Sequence, residues 1–267
     1  MKKTTTPPKH PRAESLRIRE RLIEQFENHV VATAGLIAHG RGEAFDYLLG
    51  ERTTLNATKA MTAAAAALLT AKNAVISVNG NAAALATKDI VKLAEIVNAK
   101  IEVNLYYRSP KREMGIKKLL GEVGAKEILG IGKASSARIP EVASERRRVD
   151  PKGILVADVI LVPLEDGDRT EALAKMGKRV IAIDLNPLSR TAQFAHITIV
   201  DNLVRTLPTL TKIAKKLTTE REEKLQKIVS SFDNQKNLGE AIELINRRLA
   251  KLAEKGAYLT LLEESEI

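Results

Sequence analysis

Residues 34–47 carry the densest set of groups in the sequence that could do chemistry on an anion. Gly40 and Gly42 stand on either side of Arg41, and His39 precedes them. Glycines let a backbone approach a ligand closely, and a guanidinium group matches the oxygens of a phosphate or carboxylate. We therefore expect a polar loop that binds an anion through Arg41. His39 could act as a general acid or as a donor to the anion, although a single histidine is more often a hydrogen-bonded packing residue.

A second candidate site follows the apolar run at residues 74–78, where Asn79-Gly80-Asn81 precedes a stretch with helical spacing. The N–H groups at the start of a helix bind anions, and the two carboxamides could orient a ligand. An ordinary Asn-Gly turn explains the same residues equally well. Both interpretations stay open at the level of the sequence.

Acidic residues follow the apolar run at residues 157–163. Glu165, Asp166 and Asp168 precede Arg169 and Glu171, and such carboxylates could hold a magnesium ion that bridges nucleotide phosphates. The spacing of Asp168 and Glu171 is also that of a capping box at the start of the next helix. At least one of these carboxylates could therefore be purely structural.

Two further apolar runs, residues 179–184 and 196–200, end in polar residues that suit a nucleotide. An acid at the end of a strand can accept hydrogen bonds from ribose hydroxyls, arginine supplies a fork for phosphate, and asparagine can bind base or sugar edges. The residues concerned are Asp184, Asn186, Arg190, Asp201 and Asn202. Helix capping by Ser189 or Asp201 is the alternative explanation for part of this group.

Common phosphate- and dinucleotide-binding motifs do not match the sequence. Phe45 stands where the third glycine of a dinucleotide fingerprint would follow Gly40 and Gly42, and the Gly-Lys pairs at residues 132–133 and 177–178 lack the Ser or Thr of a P-loop. The chain has no cysteine, which excludes disulfides, zinc-thiolate sites and thiol catalysis. Standard NAD-binding and P-loop proteins are therefore disfavoured.

The elements that must position these residues alternate between short runs rich in Val and Ile and stretches of helical spacing, which is typical of βα units. Strands are predicted at residues 74–78, 101–106, 127–131, 157–163, 179–184 and 196–200, and helices at residues 82–97, 111–123, 170–176 and 203–217. Helices at residues 14–28 and 58–70 should flank the core, and the charged chain after Leu217 should form a helical tail. The predicted fold is α/β with a doubly wound, mainly parallel sheet, divided into a core of residues 1–205 and a helical extension of residues 206–267.

The composition restricts the partners of the protein. The net charge of +10 would suit nucleic acid, but four Phe, four Tyr and no Trp leave little to stack on bases, and no basic run is interleaved with aromatics. The first 15 residues lack the apolar stretch of a signal peptide, and no uncharged run approaches the roughly 20 residues of a membrane span. We expect a cytoplasmic protein with no nucleic-acid and no membrane partner.

Several segments of the sequence, taken in order, resemble the archaeal 4-phosphopantoate–β-alanine ligase family, also called phosphopantothenate synthetase. They are HPRAESLRIRER, AGLIAHGRGEAFDYLLGERT, SVNGN, PLEDGDRTEAL and IDLNPLSRTA, the last followed by TIVDN. The resemblance extends from about His10 to Asn202, and the charged tail adds little to it.

The resemblance implies an enzyme that joins 4-phosphopantoate to β-alanine with the help of ATP and Mg²⁺. The products would be 4-phosphopantothenate, AMP and pyrophosphate, on the archaeal route to coenzyme A. Release of AMP and pyrophosphate implies an acyl-adenylate intermediate. The resemblance also implies a Rossmann-like fold and a homodimer.

The resemblance further assigns residues of this sequence to roles. It implies contacts to ATP by Arg19, Arg41, Asp184, Leu185, Asn186, Arg190, Thr191, Asp201 and Asn202. It implies contacts to the substrates or metal by His39, Asn79, Asn81 and the loop at residues 165–169, which includes Arg169. The catalytic candidates are Arg41, His39, Asp166 and Asp168, among which His39 or a carboxylate would accept the proton that β-alanine loses.

Two other functions remain possible at this stage. One is a pantothenate synthetase of the bacterial type, which acts on unphosphorylated pantoate and has less need of the arginines. The other is a non-catalytic nucleotide- or RNA-binding protein, whose binding to a phosphate backbone would weaken steeply with salt.

Overall fold

The computed structural model describes residues 12–256 and has a six-stranded parallel sheet at its centre. The sheet consists of β1 (Ala74–Val78), β2 (Lys100–Val103), β3 (Ile128–Leu129), β6 (Val159–Pro163), β7 (Arg179–Ile183) and β8 (Ile197–Ile199). Two short strands, β4 (Ala137–Arg138) and β5 (Arg148–Val149), pair antiparallel outside this sheet. His10 and Pro11, which open the first segment of the resemblance, lie outside the described residues.

The strand order β3-β2-β1-β6-β7-β8 makes the sheet doubly wound. β1 pairs with β2 on one side and with β6 on the other, so that Ile76 lies opposite both Ile101 and Leu161. The order reverses between β1 and β6, and in such sheets a crevice opens at the carboxyl ends of the two strands. The α/β fold class is confirmed, and all six predicted strands are present, although most of them are shorter than predicted.

Helices cover both faces of the sheet and follow the strands in the order that the sequence predicts. In the described part of the chain they are α1 (Ala13–Glu27), α2 (Thr33–Leu49), α3 (Leu55–Leu69), α4 (Gly80–Val97), α5 (Pro110–Glu122), α6 (Gly167–Lys175), α7 (Arg190–Phe194), α8 (Leu203–Leu217), α9 (Glu222–Ser230) and α10 (Asn234–Lys255). Ser109 caps α5 through the N–H of Arg112, and Pro110 occupies the first helical position, where its missing N–H costs nothing.

The alanine run of α3 allows this helix to pack closely on its neighbours. Residues 63–67 are all alanine and all buried, and α3 contacts α8, α9 and β8. Alanine has no side-chain entropy to lose in a helix, so the close packing costs little. On this face of the sheet α3, α4 and α8 enclose the largest hydrophobic cluster.

Two smaller hydrophobic clusters complete the core. The opposite face of the sheet is covered by α6 and by the segment that precedes β6, and its members include Val75, Ile160, Val162, Leu173 and Val180. The third cluster lies between α2, α10 and the ends of β7 and β8, and contains Leu49, Leu185, Ala192, Val200, Leu238 and Ala241. This third cluster places α2 beside the carboxyl ends of the strands.

The charged chain after α8 is helical, as predicted, and packs back on the core. Asn234 donates to the carbonyl oxygens of Ala192 and Ala195 at 3.0 and 2.9 Å, and Asn237 donates to that of Thr198 at 2.9 Å. The boundary after residue 205 stays a prediction, while α8 itself buries apolar side chains in the cluster of α3 and α4. Over residues 12–256, no helix has both the length and the apolar character that a membrane crossing requires.

Candidate active site

A pocket of about 710 Å³ opens at the carboxyl ends of the parallel strands, where the strand order reverses. Both the size and the place are typical of small-molecule sites in doubly wound sheets. The predicted site residues that line it are His39, Arg41, Asn79, Asn81, Asp166, Asp184, Leu185, Asn186, Arg190, Thr191 and Asn202. The predicted residues outside its lining are Arg19, Asp168, Arg169 and Asp201.

The glycine-bearing segment at residues 34–47 is part of the helix α2, so the expectation of a polar loop was wrong. A glycine inside a helix costs about 1 kcal/mol relative to alanine, and Gly40 and Gly42 both stand there. Tertiary contacts outweigh that cost, because Leu49 is buried in the cluster shared with α10 and Asp46 forms an ion pair with Arg205. The pocket is therefore bordered by a helix that presents Arg41 from a fixed backbone.

Arg41 and His39 differ in their exposure and in their contacts with neighbouring charged groups. Arg41 is exposed and makes no hydrogen bond or ion pair with any residue from 12 to 256. Burial raises the pKa of Asp184, and the nearby charge of Arg41 is among the contributions that oppose this change. Burial also lowers the pKa of His39, so that its imidazole is neutral at neutral pH and can accept a proton.

Asn79 stabilises the loops that leave both strands at the reversal. Its side-chain oxygen accepts a hydrogen bond from the N–H of Ala82 at 3.0 Å and so caps α4. Its amide nitrogen donates to the carbonyl oxygens of Pro163 and Leu164, each at 2.9 Å. Leu164 has a φ of 54°, a left-handed conformation that costs a leucine roughly 1–2 kcal/mol. The Asn79 amide thus supports a strained turn at the edge of the pocket.

Asn81 joins the start of α4 to α2. Its amide nitrogen donates to the carbonyl oxygen of Gly35 at 2.8 Å. A Cβ on Gly35 would lie 2.3 Å from the Oδ1 atom of Asn81, so a side chain at position 35 would displace the Asn81 amide. The N-terminus of α4, which favours negative charge, therefore shares a pocket with Arg41.

The loop after β6 places one carboxylate in the pocket and one behind it. Asp166 is the N-cap residue of α6, without a side-chain capping bond, while Asp168 lies inside the helix. The predicted capping box of Asp168 and Glu171 was therefore wrong, because the carboxylate of Glu171 pairs with Arg190 instead. Burial raises the pKa of Asp166 in spite of the nearby charge of Arg146.

Arg169 anchors the same loop from below. Its side chain is completely buried, pairs with Glu165 and donates to the hydroxyl of Ser77 at 3.3 Å. Arg146 pairs with the same Glu165 at 3.0 Å. Burial lowers the pKa of Arg169, while the charge of Glu165 opposes this change. The structure thus brings Arg169 behind the pocket and Arg146 to its lining.

Asp184 orders the loop after β7. It accepts hydrogen bonds from the N–H of Asn186 at 2.9 Å and from the hydroxyl of Ser189. Ser189 in turn caps α7 by accepting from the N–H of Ala192 at 2.9 Å, which confirms the predicted capping role of Ser189. Because α7 has only five residues, it has few hydrogen bonds of its own. The cap by Ser189 and the hydrogen bonds to Asp184 therefore stabilise much of the loop.

Arg190 and Thr191 join the loop after β7 to the loop after β6. Arg190 is exposed, and its guanidinium lies 5.6 Å from the ring centroid of Phe194. Thr191 donates from its hydroxyl to the carbonyl oxygen of Glu165 at 2.9 Å. A Cβ on Gly167 would lie 2.5 Å from the Cβ of Arg190, so the two loops are in direct contact. The ends of β6 and β7 therefore form one continuous wall.

Arg205 connects α2 to the end of β8 through two buried carboxylates. Its Nη2 atom lies 2.5 Å from Oδ1 of Asp46 and 2.7 Å from Oδ1 of Asp201. Burial lowers the pKa of Arg205, but the two carboxylates raise it by more. Asp46 also accepts from the amide of Asn202 at 2.8 Å, and Asp201 accepts from the hydroxyl of Thr53 at 2.6 Å.

Asn202, rather than Asp201, caps α8, so the alternative that assigned this cap to Asp201 was wrong. The Asp201 carboxylate is occupied by Arg205 and by the N–H of Asn202. Asn202 consequently lines the pocket while Asp201 lies behind it. The two neighbours have different structural tasks, which the sequence does not distinguish.

Arg19 lies on α1, beside α2. It pairs with Glu43 of α2 at 2.7 Å, and Glu43 also accepts hydrogen bonds from the hydroxyls of Ser15 and Tyr47. Burial raises the pKa of Glu43, but these donors lower it by more. The charge of Arg19 also contributes to the lowered pKa of His39. Arg19 thus lies next to the pocket margin without lining it.

Among the lining residues that the sequence analysis did not identify, four have polar or charged side chains, namely Tyr106, Tyr107, Arg112 and Arg146. The predicted strand at residues 101–106 extended past the real end of β2 at Val103. The residues after this strand were therefore not considered as strand-end candidates. Placing the end of β2 at Val103 would have revealed the two tyrosines, whereas Arg146 stands between other charged residues and gives no signal of its own.

Over residues 12–256, no group of three or more His, Cys, Asp or Glu side chains is arranged to hold a metal ion. The carboxylates in the pocket lining are those of Glu165, Asp166 and Asp184. Glu165 is taken up by two arginines, and Asp184 by the loop that it orders. Asp166 pairs with Arg146 at 2.5 Å and has the most exposed side chain of the three.

The fold and the pocket define a doubly wound α/β protein with a polar pocket at the carboxyl edge of its parallel sheet, which is where such proteins bind small molecules. The family model for phosphopantothenate/pantothenate synthetase matches residues 56–248 of the chain. The chain belongs to this family, and the resemblance seen in its sequence is confirmed.

Curated relatives agree with this assignment along nearly the whole chain. The 4-phosphopantoate–β-alanine ligase of Thermococcus kodakarensis is 52% identical over 253 residues, which are 94% of this chain and 96% of the relative. The ligase of the same name from Methanosarcina mazei is 50% identical over 255 residues, or 96% of this chain and 100% of the relative. That of Methanospirillum hungatei is 43% identical over 243 residues, or 91% and 97%.

The substitution Arg205→Met tests the buried charge network. It leaves two buried carboxylates without their counter-charge, and removal of one partner of such a network costs about 3–5 kcal/mol. We expect the free energy of unfolding, measured by urea denaturation, to fall by about 3 kcal/mol. The control is Arg247→Met, which removes an exposed ion pair with Glu243 and should cost under about 1 kcal/mol. Equal stability of the two variants would show that Arg205 does not carry the network.

Proposed function

We propose that this protein is an ATP-dependent ligase that condenses 4-phosphopantoate with β-alanine to 4-phosphopantothenate, releasing AMP and pyrophosphate. The curated relatives bear the name of this activity and align along nearly their full length. The product is a precursor of coenzyme A, so the reaction would be a step in its biosynthesis.

The observation that carries the proposal is the convergence of ligand groups on one pocket at the strand reversal. Arg41 from α2, Asn79 and Asn81 from α4, and Asp184 and Asn202 from the ends of β7 and β8 all line it. A cavity of about 710 Å³ has room for a nucleotide and part of a second small anion, since drug-sized sites range over roughly 300–1,000 Å³.

The nucleotide would occupy the half of the pocket at the ends of β7 and β8. Asp184 and Asn186 stand where an acid and an amide can bind ribose and base, and Leu185 offers an apolar contact. Arg190 and Thr191 stand on the same loop. For Arg19, Asp201, Asp168 and Arg169, which lie outside the lining, we propose positioning roles through Glu43, Asn202, the start of α6 and Glu165.

The reaction would proceed in two displacements. A carboxylate oxygen of 4-phosphopantoate attacks the α-phosphorus of ATP, the bond from that phosphorus to the bridging oxygen breaks, and pyrophosphate leaves with the electron pair. The amine of β-alanine then attacks the activated carbonyl carbon, and AMP leaves as the amide forms. No protein nucleophile is required, so the chain contributes by positioning and by electrostatic stabilisation.

Arg41 is the residue best placed to stabilise negative charge that develops on the phosphates. It has no carboxylate partner in the described chain and its backbone belongs to a helix, so its charge is available to a ligand at the pocket. Arg190 is less free, because Glu171 neutralises part of its charge. We propose Arg41 as the principal catalytic cation and Arg190 as a second phosphate contact.

The lining fits a magnesium ion that arrives with the nucleotide better than one enclosed by protein ligands. Mg²⁺ commonly binds through one or two carboxylates together with substrate phosphates, and Asp166 is the most exposed carboxylate of the lining. Magnesium would there neutralise phosphate charge. We propose Asp166 as a contact of that kind, direct or through water.

Identification of the nucleotide product is the experiment that tests the proposed function. With ATP, 4-phosphopantoate and β-alanine present, we expect AMP and pyrophosphate to form in step with the amide, and 4-phosphopantoate to be turned over faster than pantoate. ADP as product would refute the acyl-adenylate, and faster turnover of pantoate would identify a pantothenate synthetase. Salt-sensitive RNA binding without any turnover would overturn the enzyme proposal.

We also propose that the protein forms a homodimer. Light scattering would measure its molar mass in solution.

The substitution Arg41→Ala tests the role of the principal cation. Removal of one preorganised donor to a developing charge costs roughly 10²- to 10³-fold in turnover, and we expect a fall of that size in kcat. The melting temperature should not change, because Arg41 is exposed and makes no ion pair within residues 12–256. Arg17→Ala on α1 removes a partly exposed arginine paired with Glu14 and should retain full activity. Unchanged kinetics in the Arg41 variant would remove this residue from the site.

The pH profile tests whether His39 accepts the proton from β-alanine. Burial lowers the pKa of His39 below its usual 6.5, so kcat/KM for β-alanine should stay high down to that lowered pKa and fall as the imidazole protonates. In His39→Gln the acid limb should vanish and the plateau should fall by roughly 10²- to 10⁴-fold. Asp166→Asn should keep the limb. If Asp166→Asn lost the limb and His39→Gln retained it, Asp166 would be the base.

A further inference from the structure

Two arginines line the end of the pocket next to β1 and β2, and the proposed function assigns no role to either of them. Arg112 lies in the first turn of α5, and Arg146 lies in the short helical turn that precedes β5. Both line the same pocket as Arg41. Arg112 follows β2, and Arg146 contacts both Asn104 after β2 and Glu165 after β6, whereas the residues proposed for the nucleotide follow β7 and β8.

Arg112 is half-buried and has no carboxylate partner within residues 12–256. Its guanidinium donates to backbone carbonyl oxygens instead, to that of Val30 at 2.9 Å from Nη2 and at 3.2 Å from Nε, and to that of Tyr107. Burial and the nearby positive charge of Arg146 both lower its pKa. The chain therefore holds a cation in a partly dehydrated place next to a second cation.

The start of α4 adds a third positive contribution at the same point. A Cβ on Gly80 would lie 2.7 Å from Nη2 of Arg112 and 2.4 Å from the carbonyl oxygen of Val30, so the guanidinium rests directly against the first residue of this helix. The N-terminus of a helix carries a partial positive charge, which disfavours a cation there and favours an anion. Glycine at position 80 is what allows this approach.

Arg146 completes the group from the opposite wall. It is 6% exposed, and its Nη1 atom pairs with Glu165 at 3.0 Å. Its Nε atom pairs with Oδ2 of Asp166 at 2.5 Å. Glu165 also pairs with the buried Arg169, so two carboxylates serve Arg146 and Arg169 together. Arg146 therefore contributes a guanidinium to the pocket lining, while the uncompensated charge of the group is that of Arg112.

We propose that Arg112 and Arg146, together with the start of α4, form the subsite that binds the phosphate monoester of the hydroxy-acid substrate. This inference rests on the proposed function. A phosphate monoester offers three oxygens to two guanidinium groups, whereas a carboxylate offers two, and its negative charge would meet the unpaired cation of Arg112 and the start of α4.

The position of the subsite also fits the shape of the substrate. 4-Phosphopantoate carries its phosphate at one end and its reacting carboxylate at the other. With the phosphate at the β1–β2 end, the carboxylate points along the pocket toward Arg41 and the half proposed for ATP. The same arrangement makes Arg112 a specificity-determining residue, because unphosphorylated pantoate would leave the subsite unfilled.

Steady-state kinetics of Arg112→Gln test this subsite, with Lys111→Gln as the control at the exposed neighbouring position. Loss of charge-assisted hydrogen bonds should lower kcat/KM for 4-phosphopantoate by roughly 10- to 150-fold. kcat/KM for pantoate should change by less than about threefold, and KM for ATP should not move. Arg112→Lys, which keeps the charge and loses the fork, should lie between the wild type and Arg112→Gln.

Three results would overturn the subsite. One is an equal loss with both acids, which would show that Arg112 only supports the fold through Val30 and Tyr107. Another is a rise confined to KM for β-alanine, which would assign the arginines to its carboxylate. The third applies if the wild type forms no product, so that the proposed function fails. Calorimetry with 4-phosphopantoate then tests the subsite by itself. Unchanged binding in Arg112→Gln would overturn the subsite, and binding weakened by roughly 10- to 150-fold would support it.

Discussion

The ion pairs of Arg205 are the constraint on which the geometry of the pocket depends. Asp46 on α2 and Asp201 after β8 are both buried, and a compensating charge offsets the cost of burying a carboxylate. One guanidinium serves both, with Asn202 completing the hydrogen bonds of Asp46. Any shift of α2 along the sheet would leave a charge unpaired. Arg41, which belongs to the same helix, is therefore fixed over the strand ends.

The sequence predicts the framework and most of the pocket lining because both follow local rules. Apolar runs of Val and Ile identified all six strands, and in a doubly wound sheet the residues that follow such strands converge at one edge. Asn79, Asp184 and Asn202 were found in this way. What these residues do besides lining the pocket was less predictable, since a capping amide and a ligand-binding amide look the same in a sequence.

The failures of prediction have physical causes that act at long range. The glycines of α2 favour a loop, but contacts with α10 and Arg205 stabilise a helix. Asp168 has the local spacing of a cap, but its partner Glu171 is taken by Arg190 from another loop. Arg112 was missed because its importance depends on the position of Val30 and Gly80, which lie far away along the chain.

The separation of Asp46 and Arg205 along the chain, 159 residues, also governs the order in which the protein can become functional. A ribosome delivers the N-terminal helices long before the last strand, and contacts between distant parts of a chain form slowly because a large loop must close. Three glycines weaken α2, and until α8 is synthesised the carboxylate of Asp46 on this helix lacks its cation. A nascent chain that ends before β8 would thus have five strands of the sheet, but its ligand-binding edge would still be incomplete.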